Sequence, residues 1–151
     1  MLKRKYTEQL NSWKEHKNEK ALVINGARQV GKTYLVEKFG ETYESFIELN
    51  FIEKPNLIDI FSGELTPEAI LSGINLNLPG TKIIDGKTLI FLDEIQECPN
   101  AITALKFLAK DKRIDVIATG SALGMAYNRA TSFPVGYVEY MDMTALDFRE
   151  F

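Results

Sequence analysis

The chain has 151 residues, 45% of them apolar and 26% charged, with a formal net charge of −3. That length suits one compact domain over residues 1–151, able to bury a core without a metal or disulfide staple. The mildly acidic balance gives no support for binding nucleic acid or a membrane surface by charge, no run approaches the ~20 apolar residues of a membrane helix, and one cysteine, Cys98, forms no internal disulfide.

Leu2, Tyr6, Leu10 and Trp13 recur at helical spacing among Lys and Glu, which predicts an amphipathic helix of about five turns. Its basic start, Met1 to Lys5, meets Glu8, Gln9 and Asn11 at once. That is not the apolar stretch of a signal peptide, and the expected location is the cytoplasm. Ala21–Ile24 is a short apolar run, as in a buried strand, and it leads into Asn25-Gly26. The pattern from Lys32 to Phe39 predicts a helix closed by Gly40. Ser45–Phe51 alternates as a strand, with Ile47, Leu49 and Phe51 on one face.

Between residues 52 and 87 the pattern is weaker. Thr66-Pro67 is a helix start, Thr as cap and Pro at the first helical position. Pro79-Gly80 and Asp85-Gly86 mark turns. Residues 83–89 taken locally suggest a hairpin. The unbroken run Thr88–Leu92 instead fits a strand covered on both faces of a parallel sheet. A helix with a wide apolar face follows Cys98-Pro99, then a buried strand over Ile114–Thr119 and a last strand over Val135–Met141. Thr144–Asp147 resembles a capping box just before the chain stops. Strands alternating with helices predict an α/β fold with a mostly parallel sheet and helices on both faces.

Gly26-Ala27-Arg28-Gln29-Val30-Gly31-Lys32-Thr33 fits G-x-x-x-x-G-K-[ST] at every fixed position. The glycines let backbone N–H groups turn tightly around phosphate oxygens, and the helix that follows adds its positive end. Lys32 supplies charge to the terminal phosphates, and the Thr33 hydroxyl is a hard oxygen ligand for Mg²⁺. A chance match in a chain this long is on the order of one in a few hundred, and the motif stands between a strand and a helix, as its chemistry requires. The ligands expected are therefore ATP and Mg²⁺.

Asp93-Glu94 ends the run Leu89–Leu92, where open α/β sheets bind ligands. A carboxylate there holds Mg²⁺ in P-loop NTPases. Neighbouring strand residues point to opposite sides, so the two divide the work: Asp93 for the metal, Glu94 for the attacking water. Lys32, Asp93 and Glu94 are the expected catalytic set. Thr119-Gly120-Ser121 ends the next buried strand, and a hydroxyl there, with Ser121 as the candidate, is placed to sense phosphate or water; the alternative is a simple strand-ending turn.

Five segments in this order carry a family resemblance: Gly26–Thr33, Leu92-Asp93-Glu94-Ile95-Gln96-Glu97, Ala118–Ser121, Phe133-Pro134-Val135-Gly136, and Leu146–Phe151. The chain resembles prokaryotic AAA-like P-loop ATPases whose N-terminal AAA domain precedes a nuclease-like C-terminal domain. The resemblance implies a three-layer sandwich of the additional-strand type. Its sheet has five strands, and the strand ending at Thr119 lies between the other two motif strands. It implies the same roles for Lys32, Thr33, Asp93 and Glu94, and a longer protein of which this is an N-terminal part. Tyr137 departs from the pattern, because many relatives carry a basic residue there. Arg28 and Arg129 are the nearby loop arginines; Arg129 reads as a solvated residue or as an arginine finger offered to a second copy.

The function expected is ATP hydrolysis coupled to movement of a C-terminal domain or protein partner, with a homo-oligomer as one form of partnership. Two alternatives share the cradle: an ATP-binding regulatory switch with little turnover, and a small-molecule kinase. The kinase lacks support from an Arg-rich lid. His16, among Lys14, Glu15 and Lys17, reads as solvated, and Cys98 as a small buried residue. Lys3-Arg4-Lys5 with Lys14, Lys17 and Lys20 offer a face for nucleic acid, but Glu8, Glu15 and Glu19 dilute it, and a solvated helix is the expectation.

Overall fold

The computed structural model describes residues 2–27, 31–121 and 136–143, and in it the apolar runs join in one sheet. The strands are β1 (Ala21–Asn25), β2 (Ser45–Asn50), β3 (Thr88–Asp93), β4 (Ile114–Gly120) and β5 (Val138–Asp142). Their order across the sheet is β2-β3-β4-β1-β5, and every pairing is parallel. β3 and β4 are buried along their whole length. That explains the apolar runs Leu89–Leu92 and Val116–Ala118 at their centres: strands covered on both faces have no solvent side to mark with polar residues.

Among the described residues four helices cover the sheet: α1 (Leu2–His16), α2 (Lys32–Gly40), α3 (Pro67–Asn77) and α4 (Pro99–Ala109). On one face α1 and α2 pack Tyr6, Leu10, Trp13, Leu35, Val36 and Phe39 onto Leu22, Ile24, Leu89, Phe91 and Ile117. On the other, α3, α4 and the short 3-10 helix Pro55–Phe61 bury a second core on Val23, Ile47, Leu49, Ile90, Leu92 and Val116. Alternate residues of each strand thus feed opposite cores, the period-two pattern of a strand. The result is the expected three-layer α/β sandwich, with β4 inserted between β3 and β1.

Several local expectations change. α1 runs 15 residues, about four turns and not five. Asn18 and Glu19 take left-handed conformations, φ 47° and 62°, and Lys20 N donates to Lys17 O at 2.9 Å. This tight turn ends the helix early. Gly40 is the last helical residue, not a left-handed stop after it. It is glycine for another reason: a Cβ there would overlap the Phe46 ring. The hairpin suggested over residues 83–89 does not form. Lys87 N closes a turn on Ile84 O, and Thr88 enters β3 between two parallel neighbours. Thr66 caps α3 as expected, its hydroxyl accepting from Ala69 N at 3.2 Å. The last strand begins at Val138; Val135 and the capping segment Thr144–Asp147 lie outside the described residues.

Candidate active site

Because all strands are parallel, their carboxyl ends share one edge of the sheet, and the two main motifs meet there. β1 delivers Asn25 to the start of the phosphate loop. β4, next to it, pairs Gly120 with Asn25. β3, on the other side of β4, pairs Leu92 with Ala118. This register sets Asp93 beside Thr119.

The two described ends of the loop, residues 26–27 and 31–33, fit the motif. Gly26 is buried, and its N–H donates to Gly120 O at 3.3 Å. Gly31 precedes α2 with φ 91°, a conformation that favours glycine. No side chain of a described residue caps α2, and the N–H groups of a helix's first turn suit an anion. Lys32 is 4% exposed. Its Nζ donates to Gly26 O at 2.6 Å and Ala27 O at 2.9 Å, which satisfies a buried ammonium on the loop's own carbonyls. Arg28, Gln29 and Val30 lie outside the described residues.

Asp93 is 1% exposed. Thr33 Oγ1 donates to its Oδ2 at 2.9 Å, Asn50 Nδ2 to the same oxygen at 3.1 Å, and Thr119 Oγ1 to Oδ1 at 2.5 Å. The Asn50 amide is itself fixed: its Oδ1 accepts from the N–H groups of Ile52 and Glu53, both at 3.0 Å. Burial pushes the Asp93 carboxyl above the usual carboxylate range. The Thr119 and Thr33 hydroxyls oppose that, Glu94 adds to it, and Lys32 acts against it through space. Two hard oxygens, the Thr33 hydroxyl and the Asp93 carboxylate, converge beside a helix start: the donor set a magnesium ion with phosphate takes.

Glu94 follows directly but does not continue the strand. β3 ends at Asp93, and Glu94 turns left-handed, φ 60° and ψ 53°, into the 3-10 segment Ile95–Glu97. The strand alternation expected between Asp93 and Glu94 is thus replaced by this turn. The Glu94 N–H reaches Thr119 Oγ1 at 3.4 Å, and its Oε1 accepts from Gln96 Nε2 at 2.8 Å. Ser121 stands one residue beyond Gly120 and is half-buried. Sequence reasoning missed Asn50 and gave Thr119 no bond to Asp93. Both are strand-end polar residues whose role emerges only from the register Asn50↔Asp93 and the neighbouring β4.

Tyr137 lies far from all this. It enters β5 at the amino ends of the strands, where its carbonyl accepts from Ala21 N at 3.0 Å. Its ring lies 4.9 Å from Lys110 Nζ. A basic side chain at this position would stand at the edge opposite the cradle. Arg129 and Leu146–Phe151 are outside the described residues. His16 is exposed and Cys98 buried, as expected. Burial raises the Cys98 thiol above its ordinary range, which makes it a poor nucleophile.

A family model described as an AAA domain matches residues 18–151. The chain belongs to that family, and it is an AAA-like P-loop ATPase in fold. It is similar in structure to a chain from the Drosophila ORC bound to DNA, with TM-score 0.52, 16% identity, and 95% of this chain and 91% of that one covered. A second similarity is to C. elegans PCH-2, with TM-score 0.49, 16% identity, and 93% and 40% of the two chains covered. At such identity the likeness bears on the fold alone. Among curated proteins none matches. No described helix is long and apolar enough to cross a membrane.

Proposed function

We propose that this chain binds ATP with Mg²⁺ and hydrolyses it, and that turnover moves a following C-terminal domain or a protein partner. One observation carries the reading: Thr33 and Asp93, 60 residues apart in sequence, meet at 2.9 Å at the carboxyl edge of the sheet. The amides at the start of α2 and Lys32 bind the phosphates. Thr33 and Asp93 hold the metal, which when bound neutralises phosphate charge. Asn50 and Thr119 keep the Asp93 carboxylate aimed. Glu94 orients the attacking water and polarises its O–H bond. Ser121, beside the cradle, is the further candidate for sensing the terminal phosphate.

Glu94→Gln tests the assignment. Its side chain keeps the shape and loses the base, so ATP binding is expected to persist while turnover falls by about 100-fold or more. Unchanged turnover would remove Glu94 from the mechanism. Steady-state turnover by the unaltered chain separates this reading from a nucleotide-bound switch.

A further inference from the structure

The segment Ile95-Gln96-Glu97 stands out in the sequence and has no part in the mechanism above. Three observations give Gln96 one. The left-handed turn at Glu94 brings the Gln96 amide nitrogen to 2.8 Å from Glu94 Oε1. Reversing the amide would set its oxygen against a carboxylate oxygen and lose the hydrogen bond, so the donor side is assigned. The other end, Gln96 Oε1, is buried, and no described residue donates to it. A buried acceptor of this kind requires a donor. The segment is also held rigidly: Glu97 N bonds to Glu94 O at 3.1 Å and Cys98 N to Ile95 O at 2.9 Å, while the Ile95 side chain is fully buried.

We infer that Gln96 is a second water-orienting residue: its Nε2 fixes the Glu94 carboxylate, and its Oε1 accepts one O–H of the attacking water while Glu94 accepts the other. A water has two protons, and a single acceptor leaves it free to rotate about one hydrogen bond. Two acceptors held by one amide fix its lone pair on the phosphorus. As the water oxygen bonds to the γ-phosphorus, the bond from that phosphorus to the bridging oxygen breaks and ADP leaves; the water's proton goes to Glu94, and Gln96 stays neutral throughout. This inference rests on Glu94 acting on water, as proposed above.

The test is a double-mutant cycle on Mg·ATP hydrolysis. Gln96→Met keeps the length and loses both hydrogen bonds. It is expected to lower kcat by about 10- to 100-fold, the size of effect a misplaced reactant produces, with KM and ATP affinity unchanged. In the Glu94→Gln background the same change is expected to have no further effect, because both residues act on one water. Equal turnover in Gln96→Met, a loss matched by weaker ATP binding, or a loss that multiplies with Glu94→Gln would each overturn the inference. If Glu94→Gln itself turns over normally, the functional reading fails as well; if only Gln96→Met is neutral, the functional reading stands and this inference falls. A measurement without turnover checks the contact directly. In the nucleotide-free chain the Gln96 side-chain N–H signals are expected to shift in the ¹H–¹⁵N spectrum on Glu94→Ala, and unmoved signals would refute the bond.

Discussion

Two buried aspartates, Asp93 and Asp115, lie at opposite ends of neighbouring strands and differ in the partners the fold gives them. Asp115, near the amino end of β4, has a cation of its own: Lys17 Nζ at 3.2 Å, with the Tyr43 hydroxyl donating at 2.6 Å. It ties the end of α1 to the loop after α2. Asp93, at the carboxyl end of β3, receives hydrogen bonds from two hydroxyls and an amide, all uncharged. Those donors aim the carboxylate without neutralising it. The first aspartate is paired within the protein by Lys17; the second, whose hydrogen-bond donors among the described residues are uncharged, is the carboxylate proposed above to hold Mg²⁺.

The same substitution therefore has opposite consequences at the two ends. Asp93→Asn is expected to abolish Mg-dependent turnover, by about 100-fold or more, and to leave the melting temperature unchanged or raised, since it removes a buried charge. Asp115→Asn is expected to leave turnover intact and to lower stability by about 1–2 kcal/mol, because Lys17 loses its partner. Thermal melts beside a phosphate-release assay check both. A melting temperature that falls for Asp93→Asn as it does for Asp115→Asn would erase the contrast.

A smaller effect sharpens it. Each end of the sheet also holds a glutamate in a left-handed conformation, Glu19 at φ 62° and Glu94 at φ 60°. Such a backbone costs a residue with a side chain about 1 kcal/mol, which glycine escapes. Glu19→Gly is expected to raise stability by up to about that amount with turnover unchanged. Glu94→Gly is expected to relieve the same strain and to lose turnover. Denaturant titration of the two variants measures the first part, and the turnover assay the second.

The smallest effect is in pH. Glu48, on β2, is pushed up to about 8 by burial first, then by its hydrogen bond to Glu37 and the charges of Glu37, Asp93 and Glu53. A carboxyl raised in the folded state stabilises it fully below the unfolded value, about 4.5, and that contribution is lost as pH rises through about 8. The melting temperature is thus expected to fall between pH 6 and 9 more in the wild type than in Glu48→Gln. Glu48 is only half-buried, so the difference is modest. Parallel slopes for the two proteins would contradict it.

Much of this was legible in the sequence, for identifiable reasons. The buried strands read as apolar runs, and the phosphate loop reads from residue types that its chemistry permits at few other places. Pro55–Phe61 was not legible, because a short 3-10 helix buries Leu57, Ile60 and Phe61 without a period that a window can detect. The donors to Asp93 were hidden for a different reason. Asn50 and Thr119 are ordinary strand-end residues until the register sets them beside it. The turn at Glu94 was misread as strand because glutamate rarely signals a left-handed backbone, whereas Asn18 belongs to a type that does.

The most direct test of the account is calorimetric titration of Mg·ATP into this chain and into Lys32→Ala. Micromolar binding is expected of the unaltered protein and none of the variant, with both folded. A folded wild-type chain that takes up no nucleotide, or a Lys32→Ala variant that binds equally well, would contradict the assignment of Gly26–Thr33 and Asp93 as a nucleotide site.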